Sequence, residues 1–244
     1  MLYIIGLGLD KKDLTLKGLE AVKGCKKVYL ENYTSTLPCS VPELEKIINK
    51  KIILADRSFV EEKNDIIQEA KEQDVALLVM GDPLSATTHA EILLRAEKMK
   101  VKTAVVHSVS IFNAISETGL QLYKFGKTAS IPTWQPNFKP ESFYDIIKDN
   151  LKINAHTLLL IDIGLDVGEA LSYLKEISDK QKEKDSITNK PLLICSKIGT
   201  ENQKIVAGKL DNLLGKRFDL PACIVIPSKL HFLEEEALKK FKNN

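Results

Sequence analysis

From Leu2 to Glu117 the chain alternates short apolar runs with amphipathic stretches. Aliphatic runs at Leu2–Leu7, Val28–Leu30, Ile52–Leu54, Val75–Met80 and Thr103–Val106 predict strands. The segments between them predict helices at Thr15–Gly24, Pro42–Asn49, Glu61–Glu72, Thr88–Lys100 and Ser110–Glu117. Ser40 and Glu43 have the spacing of a capping box at the head of the second helix, as do Thr88 and Glu91 at the head of the fourth. Strands that are apolar on both faces and alternate with helices predict a parallel sheet covered on both sides.

After Gly119 the rhythm changes. The stretch QLYKFGKTASIP reads as two short strands around a glycine turn, and TWQPNFKP as a loop with two prolines and the one tryptophan of the chain. A helix is expected over Pro140–Leu151, with proline in its first turn. Strands are expected at His156–Ile161, Pro191–Cys195 and Ala222–Ile226, and a hairpin-like segment at Lys204–Ala207. One helix follows Gly168, and the last begins near His231. The charged stretch SDKQKEKDSITNKP reads as a surface connection. The pattern predicts an α/β fold of two domains, residues 1–109 with a parallel sheet and 110–244 with a mixed one.

Six strands end alike: YIIGLGL, LLVMGDPLS, AVVHSVSI, LLLIDIG, LLICSKIG and CIVIPSKLH each pass from aliphatic residues into Gly, Ser, Pro, Asp or His. Such residues terminate strands anywhere. In open α/β sheets, however, ligands bind beyond the carboxyl ends of the strands, so six similar ends suggest one shared cleft between the domains. Gly6 and Gly8 could open a dinucleotide fingerprint, with Glu31 placed as the ribose-binding acid, but Lys11 stands where the third glycine belongs. A nicotinamide-dependent oxidoreductase is the runner-up. Gly81-Asp82-Pro83 suits a type I turn. With the next helix delayed to Thr88, residues 82–87 are expected to form an exposed loop that offers backbone donors to a polar cofactor.

Composition narrows the classes. A net charge of +2 on 244 residues, 44% of them hydrophobic and 28% charged, fits a globular protein with no nucleic-acid or membrane partner. Only Arg57, Arg95 and Arg217 are arginine, too few to grip phosphates as a cluster. Cys25, Cys39, Cys195 and Cys223 form no C-x-x-C pair and are expected to be reduced, buried or half-buried thiols in a cytoplasmic protein. No apolar run approaches the roughly 20 residues of a membrane span. There is no P-loop, HExxH, Cys/His cluster or G-x-S-x-G elbow, so no metal site or serine nucleophile is expected. His89, His107, His156 and His231 are scattered; His89 and His156 read as structural or solvated.

The blocks YIIGLGL, MGDPLSATTHAEILLRA, SIFNAISETGLQLYKFGK, PESFYDIIKDN, HTLLLIDI and IPSKLHFLE together resemble the diphthine synthase family, almost end to end. Related tetrapyrrole methylases share the GDP turn but usually carry a GPGD-like first loop, for which Gly8-Leu9-Asp10-Lys11 stands here. The resemblance implies a fold of the tetrapyrrole methylase type, a homodimer, and S-adenosylmethionine bound between the domains, with S-adenosylhomocysteine as product. It implies elongation factor 2 as protein substrate, trimethylated on the amine of a 3-amino-3-carboxypropyl histidine to give diphthine. Carried over by motif, the cofactor contacts fall on Leu9, Asp82, Ser85, Ser110, Ile111, Ile161, Ile198 and His231. A tetrapyrrole-type methyltransferase is a second alternative. Methyl transfer to a neutral amine asks mainly for position and desolvation, so no catalytic base is assigned.

Overall fold

The computed structural model describes residues 1–37, 39–181, 187 and 190–242. The chain divides into two compact units, Met1–Ala114 and Ile115–Asn244.

In the first unit β1 (Leu2–Gly6), β2 (Lys27–Glu31), β3 (Ile53–Ala55), β4 (Val75–Val79) and β5 (Thr103–Val106) form a sheet in the order β3-β2-β4-β1-β5. Every pairing is parallel, for example Ile4 opposite Leu77 and Val105. Alternate residues feed two cores: Leu2, Ile4, Leu77 and Val79 on one face, Ile5, Leu7, Leu30 and Leu78 on the other. The near-continuous apolar strands of the sequence are thus explained by burial on both sides. The helices are α1 (Leu16–Gly24), α2 (Val41–Ile48), α3 (Asp65–Glu72), α4 (Ala90–Lys98) and a short α5 (Ile111–Ala114) that tightens into a 3-10 turn at Ile115–Thr118.

Of the two expected capping boxes, one forms. At α2 the Ser40 amide donates to the Glu43 carboxylate, as the capping box requires, and the Ser40 hydroxyl donates to the same oxygen. At α4 there is no such box. The Thr88 hydroxyl donates instead to Glu61, 2.7 Å away, and His89 precedes the helix. A wide turn at Ser58–Glu62 also replaces the first turn of the expected Glu61–Glu72 helix; it carries Glu61 toward Thr88.

The second unit has β6 (Ala129–Ile131), β7 (Thr157–Ile161), β8 (Leu192–Ser196), β9 (Lys204–Gly208) and β10 (Ala222–Ile226), in the order β6-β7-β10-β8-β9. β6 and β7 are parallel, and the other pairs are antiparallel. The helices α6 (Ser142–Lys152) and α7 (Val167–Gln181) bury Phe143, Tyr144, Ile147, Leu171 and Leu174 in one cluster with Ile131, Leu159, Ile194 and Ile224. The short α8 (Leu210–Leu213) and α9 (Phe232–Lys239) complete the described elements. QLYKFGKTASIP holds one strand, not two: Leu122–Lys124 is a 3-10 turn, and only Ala129–Ile131 joins the sheet. Pro140 lies two residues ahead of α6. Half of the charged SDKQKEKDSITNKP stretch lies outside the described residues, and its first four residues, 178–181, close α7.

Antiparallel pairing sets Cys195 opposite Cys223, an adjacency the sequence spacing does not show. Both are buried and free, as is Cys25, while Cys39 is half-buried. The Cys223 thiol beside it, together with burial, pushes the Cys195 thiol well above its ordinary range, which suits inert, reduced cysteines.

Candidate functional site

The order β4-β1-β5 puts three carboxyl-terminal strand ends side by side in the first unit. They are tied to one another directly. Gly8 and Gly81 exchange both backbone hydrogen bonds, at 3.1 and 2.9 Å, each with positive φ (77° and 71°). Asp13 closes the loop after β1, its carboxylate accepting from the amides of Leu9 and Asp10 at 2.9 Å each. The Ser108 hydroxyl, after β5, donates to the Asp13 carbonyl at 3.0 Å.

Asp82 is the hub of this edge. One carboxylate oxygen accepts from the Leu84 amide at 3.0 Å and the Ser85 hydroxyl at 3.1 Å. The other takes His107 Nδ1 at 2.7 Å and the Ser108 amide at 3.3 Å. Burial pushes this acid up, but the donors from Leu84, His107 and Ser108 outweigh it and hold it below the usual carboxylate range. The side chain therefore acts as an internal brace that joins the ends of β4 and β5. This corrects the expectation of a fully exposed loop at 82–87: Asp82 and Pro83 are buried, and Leu84 and Ala86 are exposed. Ser110 is buried and caps its own turn, with Asn113 Oδ1 on its amide at 2.8 Å. Leu9, Asp82, Ser85, Ser110 and Ile111 all lie on this one edge.

His89 is 1% exposed, and its Nδ1 lies 3.2 Å from the Pro83 carbonyl. A carbonyl can only accept, so Nδ1 carries the proton and the ring props the GDP turn from within. Burial lowers its pKa, which keeps the ring neutral. Sequence reasoning left His89 as structural or solvated; it is structural, and what it supports is the site loop.

Glu31 does not serve a ribose. Its buried carboxylate accepts from the amides of Tyr33 and Thr34, at 3.3 and 3.1 Å, and from the Thr34 hydroxyl. The acid that kept the dinucleotide alternative open is consumed by its own turn. Among the described residues, no three His, Cys, Asp or Glu side chains group so as to hold a metal ion, and no helix is long and apolar enough to cross a membrane.

In the second unit the expected residues fall at two edges. Ile161 ends β7, followed by Asp162, whose amide donates to the Ile131 carbonyl at 3.1 Å. Ile198 follows β8 between Lys197 (φ 48°) and Gly199 (φ 83°). These ends point the same way. β10 runs opposite to both neighbours, so its last residue, Ile226, pairs with Thr157 at the start of β7. His231 follows that opposite end. Six strand ends at one cleft, expected from sequence similarity of the ends, is thus corrected by strand direction: a mixed sheet sends some carboxyl ends the other way.

At that opposite edge lies a network the sequence did not announce. Glu234, fully buried, accepts from the Gln121 amide at 3.0 Å, His156 Nε2 at 3.0 Å, the His231 amide at 2.7 Å and the Lys124 ammonium. His156 Nδ1 in turn accepts from the Ser228 amide at 3.0 Å, which fixes the neutral tautomer with its proton on Nε2. Burial pushes Glu234 up, yet the His231 and Gln121 amides, Lys124 and His156 together hold it at about 2. Burial lowers His156, opposed by Glu234. Both shifts act in one sense on stability. The unfolded chain takes up a proton at His156 below about pH 6.5 and at Glu234 below about pH 4.3, where the folded unit resists both. Stability is therefore full above about pH 6.5 and falls as the pH drops toward the folded value near 2. We expect the unfolding free energy of the second unit, read by urea unfolding, to decline from pH 6.5 to 3, with Glu234 alone accounting for about 2 kcal/mol of the loss. A midpoint unchanged over that range would contradict this.

The sequence pattern of the tetrapyrrole (corrin/porphyrin) methylases matches residues 1–214. The chain belongs to this family and is a methyltransferase. Its relatives within the family include diphthine synthases and diphthine methyl ester synthases, matched over nearly their whole length. It is 43% identical over 274 residues to a probable diphthine methyl ester synthase of Arabidopsis thaliana, covering 99% of this chain and 98% of that one. It is 43% identical over 254 residues to a diphthine synthase of Methanococcus maripaludis, covering all of both. The crystal structure titled putative diphthine synthase from Entamoeba histolytica matches with a TM-score of 0.92 at 40% identity, over 100% of this chain and 99% of that one.

Proposed function

We propose that this chain methylates, from S-adenosylmethionine, the amino group of a 3-amino-3-carboxypropyl histidine in elongation factor 2, three times, to give diphthine. The observation that carries this reading is the full-length similarity to a diphthine synthase; the equal similarity to a probable diphthine methyl ester synthase supports the same substrate. The first unit's edge suits such a cofactor. A Cβ built on Gly81 meets only the Val109 carbonyl, 3.8 Å away, so the ground before the turn is open, while Asp82 faces inward and leaves backbone groups to a ligand. Leu9, Asp82, Ser85, Ser110 and Ile111 are proposed to hold the cofactor there; Ile161, Ile198 and His231 are proposed as further contacts on the family resemblance alone, since His231 follows a strand that runs opposite to those of the other two. The bound cofactor would supply an electrophilic methyl group. The chain's own part is to bind, orient and exclude water; solvent takes the proton lost after the first and second transfers, and the third leaves a trimethylammonium group with none to lose. The working form is proposed to be a cytoplasmic homodimer.

The test is the mass of unmethylated elongation factor 2 after incubation with this protein and S-adenosylmethionine. Three methyl groups on the modified histidine are expected. A fourth, lost on mild alkaline hydrolysis, would make the product the methyl ester and correct the count. No mass change would overturn the reading.

His231 gives a finer prediction. Its Nδ1 accepts from the Leu233 amide at 3.4 Å, so Nε2 carries the proton on an exposed ring. His231→Ala is expected to weaken S-adenosylhomocysteine binding by about 1 kcal/mol, one neutral hydrogen bond. Turnover at saturating cofactor should stay nearly unchanged. A large fall in that rate with normal affinity would make His231 catalytic instead.

A further inference from the structure

We propose that the hairpin loop of residues 132–140 is a docking element for the protein substrate, with Phe138 as the side chain that the substrate covers. This rests on the reading that the acceptor is carried by a protein.

The loop leaves the end of β6, where Ile131 pairs with Ile161. It therefore rises from the same edge of the second sheet as Ile161 and Ile198. Its base is held from three sides. The Trp134 ring stacks on Tyr173 of α7 with centroids 3.9 Å apart and planes 10° from parallel. The Trp134 amide donates to the Tyr173 hydroxyl at 3.3 Å, and its indole N–H to the Pro140 carbonyl at 3.2 Å. Lys139 lies over the other part of this anchor, 4.7 Å from the Trp134 ring centre, and pairs with Glu176 at 3.1 Å. The tip is closed by two backbone hydrogen bonds between Gln135 and Phe138, both 3.0 Å.

The base packs on the core through Trp134 and Tyr173, but the tip adds nothing to that core. Phe138 is 63% exposed at the summit, and Gln135, Pro136 and Asn137 are exposed beside it. A large apolar side chain held rigidly in water, ringed by amides, is the composition of a protein-binding anchor: contact area is offered with its ordering entropy already met. Nucleic acid fits poorly, because the loop's one cation, Lys139, is already paired. A small-molecule acceptor would need no contact at the exposed tip of a stapled loop.

The test uses the full-length protein with unmethylated elongation factor 2. Phe138→Ala is expected to raise KM for the protein substrate about tenfold, leaving kcat and S-adenosylhomocysteine affinity unchanged. Phe138→Leu should recover part of the loss. With p-benzoylphenylalanine introduced at position 138, light should cross-link the two proteins, whereas the same group at exposed Leu16 should not. Unchanged KM and no cross-link from position 138, in a protein that methylates elongation factor 2 normally, would overturn the docking role alone. If the unaltered protein neither binds nor methylates elongation factor 2, the substrate reading fails and this proposal with it.

Discussion

Glu234→Ala is expected to destabilise the second unit by about 3–5 kcal/mol, the range for removing one partner of a buried ion pair. The carboxylate has four donors, and alanine answers none of them. Lys124 is 21% exposed at its side chain and can recover some hydration. The His156 N–H is fully buried and cannot. An unmet buried donor costs about 1–3 kcal/mol by itself. Glu234→Gln should fall between, because its amide oxygen satisfies part of the set while its NH2 faces donors. The loss should also be pH-dependent: the Glu234 share of stability fades between about pH 4.3 and the folded value near 2, so the gap between wild type and variant should narrow at pH 3 without closing. Urea unfolding at pH 7 and pH 3 checks both points. A loss under 1 kcal/mol at pH 7 would show that the network contributes little.

The same network shows how much was legible. The blocks TGLQLYKFGK and IPSKLHFLE were read from sequence only as resemblance, more than 100 residues apart. In the fold, Gln121 and Lys124 from one and His231 from the other all donate to the Glu234 carboxylate of the second. Gly119, with φ 79°, lets α9 lie against the same loop, since a Cβ there would overlap that of Ala237. No periodicity announces a contact made by tertiary folding alone. The strands were legible because burial on both faces writes itself as an aliphatic run. Strand direction was not, and that is why the end of β10 was read as one of six alike. The Thr88–Glu91 capping box failed for a related reason: Glu61, distant in sequence, competes for the Thr88 hydroxyl. At the first unit's edge, Leu9, Asp82, Ser85, Ser110 and Ile111 were placed together by their strand-end positions. Asp13, Ser108 and His89, which hold those positions, were missed. Asp13 left the clearest signal, since a short acid three or four residues after a Gly pair is placed to accept that turn's amides.

Gly8→Ala should abolish cofactor binding in a protein that still folds, and should do so more completely than any single change at Gly81. Both glycines have positive φ, which costs alanine roughly 1 kcal/mol or more. Their surroundings differ. At Gly81 an added Cβ stands in open space, 3.8 Å from the Val109 carbonyl, so Gly81→Ala carries little beyond that strain. At Gly8 an added Cβ would overlap the Cβ of Asp13 and lie 2.9 Å from its carboxylate. Asp13 must move, and it is the acceptor for the Leu9 and Asp10 amides and the partner of Ser108 through its carbonyl. One methyl group thus releases the loop after β1 and its tie to the end of β5, while the apolar strands beneath remain packed. Calorimetry with S-adenosylhomocysteine should find no binding for Gly8→Ala and a loss of about tenfold or less for Gly81→Ala, with circular dichroism near wild type for both. The double variant Gly8→Ala, Asp13→Gly removes the overlapping side chain. Because it also removes the acceptor, it should not restore affinity, which separates the role of the Asp13 carboxylate from simple crowding. Wild-type affinity in Gly8→Ala would mean that the loop after β1 takes no part in holding the cofactor.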